Sequence, residues 1–422
     1  MTAKSAAALP MVEPARVFGA RLLLGLILSA MILFVDGYDL AALPLALPHI
    51  VRELGIPAAS FGFALSAVLV GLGTGAVLLA PIGDRYGRRP TIIVTVALIG
   101  LATMGTATAT SVTGFSVWRL LTGLMLGACL PNVTAQVALW APEGKRASTI
   151  TIVSLGIAIG GITSGLVVPL LVSFGGWRAI FLLPGIATVL LAVTLFFLFP
   201  RKGILPERQD EPAAARPARK GGQLLDILRP PLLVATAIFV LIYGLNAFAI
   251  YLTSSWIPTL LPQAGFSVDL SARFMSIVNL GGLVAGLLIA KLVDKSRVTF
   301  VLSAAYTTIV LAFLGLSFVK PDPWIWGILL FLSAGAIAGV HLALIAIATD
   351  FFPARYMATA IGFGVAVARI GAIGGPMVGG WLIASGISVG GFFLFAALAP
   401  AACLAATWLV PAAQRARHNI LS

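Results

Sequence analysis

Residues 26–47 read LILSAMILFVDGYDLAALPLAL, an apolar run that nevertheless carries two aspartates, Asp36 and Asp39. Such a run is long enough to cross a hydrocarbon core of ~30 Å. The bilayer penalises each carboxylate by about 2.5–3.5 kcal/mol at mid-helix even on lenient insertion scales, so residues of this kind usually face a cavity and work there. Three residues apart on a helix, the two acids are expected on one side. Burial and a second carboxylate favour the protonated form, whereas a nearby arginine favours the charged one. A pair under both influences can exchange a proton, so Asp36 and Asp39 are the candidate proton-coupling residues, expected to titrate as a unit. The competing reading is a fixed ion pair with Arg119 that only orders the helices.

The rest of the chain repeats the apolar theme. Its 422 residues are 60% hydrophobic and 10% charged, with a mean hydropathy of +1.07, outside the soluble globular range. Twelve spans are expected, at roughly 20–46, 59–81, 91–110, 115–139, 149–173, 178–199, 232–256, 271–293, 299–318, 324–348, 358–385 and 389–410. With both termini cytoplasmic, 21 of the 27 Lys and Arg residues fall inside and four outside (Arg52, Arg178, Arg273, Lys320), while Arg119 and Arg369 lie in the membrane. That asymmetry is the positive-inside rule. It accounts for the net charge of +13 without nucleic acid and sets the expected topology, a multi-pass protein of a bacterial inner membrane. The partner expected on all sides is the lipid bilayer; no feature of the sequence speaks to oligomeric state. Cys129 and Cys403 both fall in apolar runs and read as small hydrophobes. No metal constellation or nucleophile triad is visible, so neither a cofactor nor enzyme activity is expected.

Residues 200–230 form the longest polar break, rich in Pro, Gly, Ala and charge, and read as a cytoplasmic linker. It separates an N-terminal unit (1–199) from a C-terminal unit (231–422), six spans each. The halves align weakly: PEGKRASTI at 142–150 with PARYMATAI at 353–361, Asp84 with Asp294, and DGYD at 36–39 with YGLN at 243–246. Offsets near 210 imply two parallel repeats, with a substrate site between them near the midplane. Glycines four apart (Gly71 and Gly75, Gly123 and Gly127, Gly161 and Gly165) mark close helix contacts.

The loop Gly83-Asp84-Arg85-Tyr86-Gly87-Arg88-Arg89 resembles a signature of the major facilitator superfamily, and Asp294-Lys295 stands at the equivalent point of the second half. The resemblance implies an all-α membrane protein of 12 transmembrane helices in two six-helix pseudo-symmetric bundles. Gly83, Asp84, Arg85, Gly87, Arg88, Arg89, Asp294 and Lys295 are then gate elements, made in one conformation and broken in the other. DGYD, RLLTGLMLGACLPN at 119–132, YLTSSWIPTLL at 251–261 and ARIGAIGG at 368–375 together look like the aromatic acid:H⁺ symporter family. This implies import of a benzoate-like acid (benzoate, hydroxybenzoate or protocatechuate) with a proton, by alternating access. Its membrane acids fall on Asp36 and Asp39, and its membrane arginines on Arg119 and Arg369.

Arg369 lies near mid-membrane, where its fork matches a carboxylate in two-point contact. Arg119 is divided between pairing with the acids and steering substrate. Tyr38, Tyr243, Asn246 and His341 complete the expected substrate-binding set, through ring faces, an amide and an imidazole. The alternatives are an importer of a non-aromatic organic anion such as muconate, a proton-driven exporter, or a membrane receptor without transport. A central arginine disfavours cationic cargo, and the short loops offer a receptor no output domain.

Overall fold

A chain that must satisfy its backbone inside hydrocarbon without closing a barrel has to be helical. The computed structural model describes residues 15–142, 144–201, 223–230, 232–293 and 298–410, and no strand occurs among them. The helices that matter are α1 (Ala15–Leu54), α2 (Gly62–Leu78), α3 (Arg88–Thr106) and α4 (Val112–Trp140). Next comes a continuous helical stretch, Arg146–Leu198, of 53 residues. At ~1.5 Å per residue it is far too long for one crossing. It breaks at Gly175–Gly176, where Gly176 adopts φ 64°, a conformation that costs any other residue dearly. The two arms are α5 (146–174) and α6 (177–198).

The second half holds α7 (Leu233–Gln263), α8 (Val268–Val293) and α9 (Val298–Phe318). In α10 (323–351) a π-helical turn, Phe331–Gly335, interrupts the α-helix. The last two are α11 (Ala354–Ala384) and α12 (Val389–Thr407). Eleven helices of the described residues are long and apolar enough to span a membrane, and the broken one spans it twice, which gives the expected twelve. Two helix ends depart most from expectation: α7 runs on to Gln263 through Pro258 and Pro262, and α1 is extended further still. α1 runs on to Leu54 through Pro44 and Pro48, and its end is tied to the start of α6 by an ion pair of Glu53 with Arg178.

Glycines set how closely the helices approach. A Cβ on Gly71 or Gly75 of α2 would meet the Leu120 and Leu124 carbonyl oxygens at 2.3 and 2.1 Å. Reciprocally, one on Gly123 or Gly127 of α4 would meet those of Val68 and Leu72 at 2.1 and 2.3 Å. The two spaced glycine pairs are therefore one interface seen from both sides. Gly37 serves the same end. The Ile157 carbonyl of α5 occupies the space a Cβ would need, 1.9 Å away, so the room beside the aspartates goes to a neighbouring helix.

The chain forms two six-helix bundles, α1–α6 and α7–α12, which meet along α2–α11, α5–α8 and α1–α7. Two serines bind them. Ser66 of α2 donates to the Ile373 carbonyl of α11 at 2.7 Å, and Ser276 of α8 donates to the Ile162 carbonyl of α5 at 2.6 Å. Ser66 and Ser276 stand 210 residues apart, and Ile162 and Ile373 stand 211 apart, matching the spacing of the weak internal repeat. In the orientation predicted by charge, these contacts lie toward the outer ends. So do the close approaches of Gly62 to Pro376 and of Gly165 to Ala272. The cleft between the bundles thus opens toward the end that carries the 83–89 loop. Asp294, Lys295, most of the 200–230 linker and both chain termini lie outside the described residues.

Candidate functional site

Asp36 and Asp39 share a side of α1 but not a set of partners. Asp39 accepts from Arg119 Nη1 at 3.0 Å and from the Thr103 hydroxyl at 3.0 Å, while Arg119 Nη2 donates to the Asp39 backbone carbonyl at 2.7 Å. That Nη2 also sits 2.9 Å from the second carboxylate oxygen, an ion-pair contact outside the directed hydrogen bonds. Arg119 is fully buried at 0% exposure, so its charge is met by Asp39 rather than by water. Asp39, Arg119 and Thr103 form a buried knot joining α1, α4 and α3, in which Asp39 Oδ2 and Arg119 Nε make no directed hydrogen bond.

The second half repeats this arrangement without charge. Asn246, aligned with Asp39 by the repeat, donates to the Ile337 carbonyl of α10 at 2.9 Å and accepts from the Tyr306 hydroxyl of α9 at 3.0 Å. The helices joined are α7, α10 and α9, the counterparts of α1, α4 and α3. Both polar ends of the Asn246 amide are therefore engaged inside the bundle, away from any ligand. Tyr38 is likewise committed: its hydroxyl donates to the Ile180 carbonyl of α6 at 3.0 Å, and its ring is buried in the α1–α6 seam. In this structure Tyr38 and Asn246, expected to bind substrate, thus spend their polar groups within their own bundles, and Arg119 is taken up by Asp39.

The remaining candidates gather where the two halves face each other, the place expected for a substrate compartment. Asp36 is 2% exposed, and its Oδ1 is buried without a hydrogen-bond partner. From α11, Arg369 brings its charge within reach of Asp36, Tyr243, Tyr251 and His341. Cys129 of α4 also lies within reach of Asp36. Tyr243 stacks on His341, ring centroids 4.4 Å apart and 17° from parallel, and on its other side stacks on Phe239 at 5.5 Å and 24°. The compartment therefore combines a carboxylate lacking a full hydrogen-bond complement, a guanidinium, and an aromatic wall contributed by α7 and α10.

Tyr251 is the residue that sequence reasoning left out. It lies eight residues after Tyr243, two turns further along α7, and is within reach of both the Asp36 and the Arg369 charge. Further along the same helix, Trp256 is fully buried and donates its indole N–H to the Pro376 carbonyl at 2.9 Å.

The loop motif is explained residue by residue. Gly83 lies against Asn132 of α4, whose side-chain oxygen would be 1.7 Å from a Cβ there. Asn132 in turn donates to the Ala80 carbonyl at 3.0 Å, holding the loop against α4. Gly87 has φ 100° at the corner into α3. Arg89 donates to the Phe196 and Phe199 carbonyls, capping the end of α6. Arg85 lies over the Tyr86 ring at 5.4 Å. Asp84 is 73% exposed and lies 3.4 Å from Arg88.

Comparison with known proteins agrees with this architecture. The family model for the Major Facilitator Superfamily matches residues 29–373. The chain belongs to that superfamily. Among its relatives, a gallate transporter of Pseudomonas putida is 28% identical over 386 residues, 86% of each chain. A 4-hydroxybenzoate transporter of Pseudomonas aeruginosa is 29% identical over 394 residues, covering 85% of this chain and 86% of that one. Among solved structures, a bacterial homolog of the human lysosomal transporter Spinster, inward-facing and occupied, superposes with a TM-score of 0.74 at 18% identity. That superposition covers 96% of this chain and 98% of the other. As a member of the superfamily the chain is a membrane transporter, not an enzyme.

Proposed function

We propose that this transporter imports an aromatic carboxylate together with a proton, by alternating access, in a bacterial inner membrane with both termini cytoplasmic. The observation that carries the reading is the convergence of Asp36 and Arg369 on one compartment walled by Tyr243, Tyr251 and His341. Asp36 binds the coupling proton at the oxygen that has no partner. Arg369 takes the substrate carboxylate, where its charge would otherwise lack a well-matched anion. When both sites fill, the charges in the compartment are balanced and the halves can rock about their shared seam.

Asp39, held by Arg119 and Thr103, serves as scaffold, and the expected shared titration narrows to Asp36. The aromatic wall favours ring-bearing acids over open-chain dianions. Relatives named for gallate, benzoate and 4-hydroxybenzoate point the same way, while one named for cis,cis-muconate keeps the open-chain reading as the alternative the test addresses. The test is uptake of a panel of radiolabelled carboxylates into proteoliposomes, with and without an inward-directed proton gradient. Gradient-dependent accumulation of benzoate-type acids is expected. Accumulation that ignores the gradient, or a preference for cationic cargo, would refute it.

A further inference from the structure

Two polar side chains of the second half, His341 and Thr259, have a buried atom without a hydrogen-bond partner, and of the two His341 is the one within reach of the Arg369 charge. Asn246, Tyr306 and Trp256 all have hydrogen-bond partners within the protein. Among the described residues His341 has none, and its Nδ1 is buried and unpaired. The residue is nonetheless part-exposed, and the Arg369 charge lies within reach of it. What fixes its orientation is stacking, face to face on Tyr243 at 4.4 Å. An imidazole pinned by its flat face, with its edge unengaged beside a guanidinium, is arranged to receive a polar group from a ligand rather than from the fold.

The group it suits can be defined. Arg369 already supplies the cation for a carboxylate, so the second contact lies elsewhere on the cargo. An imidazole nitrogen can donate or accept according to tautomer, and a phenolic hydroxyl can answer either. We propose that His341 is a specificity-determining residue that selects ring-hydroxylated aromatic acids, hydrogen-bonding the ring hydroxyl while Arg369 holds the carboxylate. This rests on the aromatic-acid reading above and narrows it. A site built to bond a hydroxyl discriminates against an analogue without one, because the protein group is then left unpaired.

The experiment is competition against benzoate counterflow in proteoliposomes of the full chain, with 3- and 4-hydroxybenzoate set against the near-isosteric 3- and 4-methylbenzoate. For the wild type, the better hydroxy acid is expected to compete roughly tenfold more strongly than its methyl partner, equivalent to about 1.4 kcal/mol. His341→Phe keeps the stack on Tyr243 and removes the nitrogens, and its ratio is expected near one. His341→Gln retains a hydrogen-bonding group and is expected to fall between. A wild-type ratio near one overturns the proposal without any variant, and so does an unchanged ratio in His341→Phe. Loss of gradient-driven accumulation in His341→Phe with the ratio intact would make His341 a proton relay and also overturn it. If no aromatic acid competes in the wild type, the substrate reading itself fails and takes this inference with it.

Discussion

At the scale of single residues, Asp36 and Asp39 show how neighbours divide what helix geometry groups. The spacing of three places them about 60° apart on α1, and that was enough to bring Asp39 to Arg119 and Thr103 while Asp36 faces the compartment of Arg369. Removing one partner of a buried ion pair leaves the other charge uncompensated, at a cost of about 3–5 kcal/mol. Asp39→Asn is therefore expected to lower the melting temperature of the detergent-purified protein sharply. Asp36→Asn is expected to leave it close to wild type, since it removes a buried carboxylate that lacks a full set of partners. Equal destabilisation by the two would contradict the division of roles. The ion pair was visible in the sequence as a competing possibility, because few charges enter the membrane and they must meet. Which acid takes the arginine was not visible. That choice depends on how α3 and α4 dock, information that spacing along α1 does not contain. Tyr251 escaped notice for a related reason: aromatic residues crowd α7, and only the position of α11 picks out the one within reach of both charges.

Among the elements, backbone approach decides what can change. Gly123 and Gly73 both lie in glycine-bearing helices, yet a Cβ on Gly123 would meet the Val68 carbonyl at 2.1 Å while one on Gly73 meets nothing within 4 Å. Gly123→Leu is expected to abolish recovery of folded protein, whereas Gly73→Ala is expected to be neutral or to stabilise by about 0.5–1 kcal/mol through helix propensity. Size-exclusion profiles and melting temperatures of the two variants check this. The helices themselves were legible from hydropathy, including the break at Gly175–Gly176. The length of α1 was not. Pro44, Pro48 and the polar residues after them look like a helix end, but the extension is held by the α6 contact at Arg178.

For the whole molecule, the paired serine contacts show what the weak sequence repeat meant. Ser66 and Ser276 tie opposite seams at equivalent positions on the outer side. Interhelical hydrogen bonds in membranes average about 0.6 kcal/mol, so replacing both with alanine should shift the balance toward the outward-open state by somewhat under tenfold. Pulsed electron paramagnetic resonance distances between labels at the outer ends of α5 and α8 would report this. An unchanged distribution would show that the seams are held by packing alone. Rocking about those seams has a purpose only if Asp36 carries a proton through each cycle. The direct measurement is benzoate uptake into proteoliposomes under an imposed proton gradient, compared with benzoate exchange at equal pH, in wild type and Asp36→Asn. The account predicts that the variant loses gradient-driven accumulation and retains exchange. Gradient-driven accumulation at wild-type levels in Asp36→Asn would contradict it.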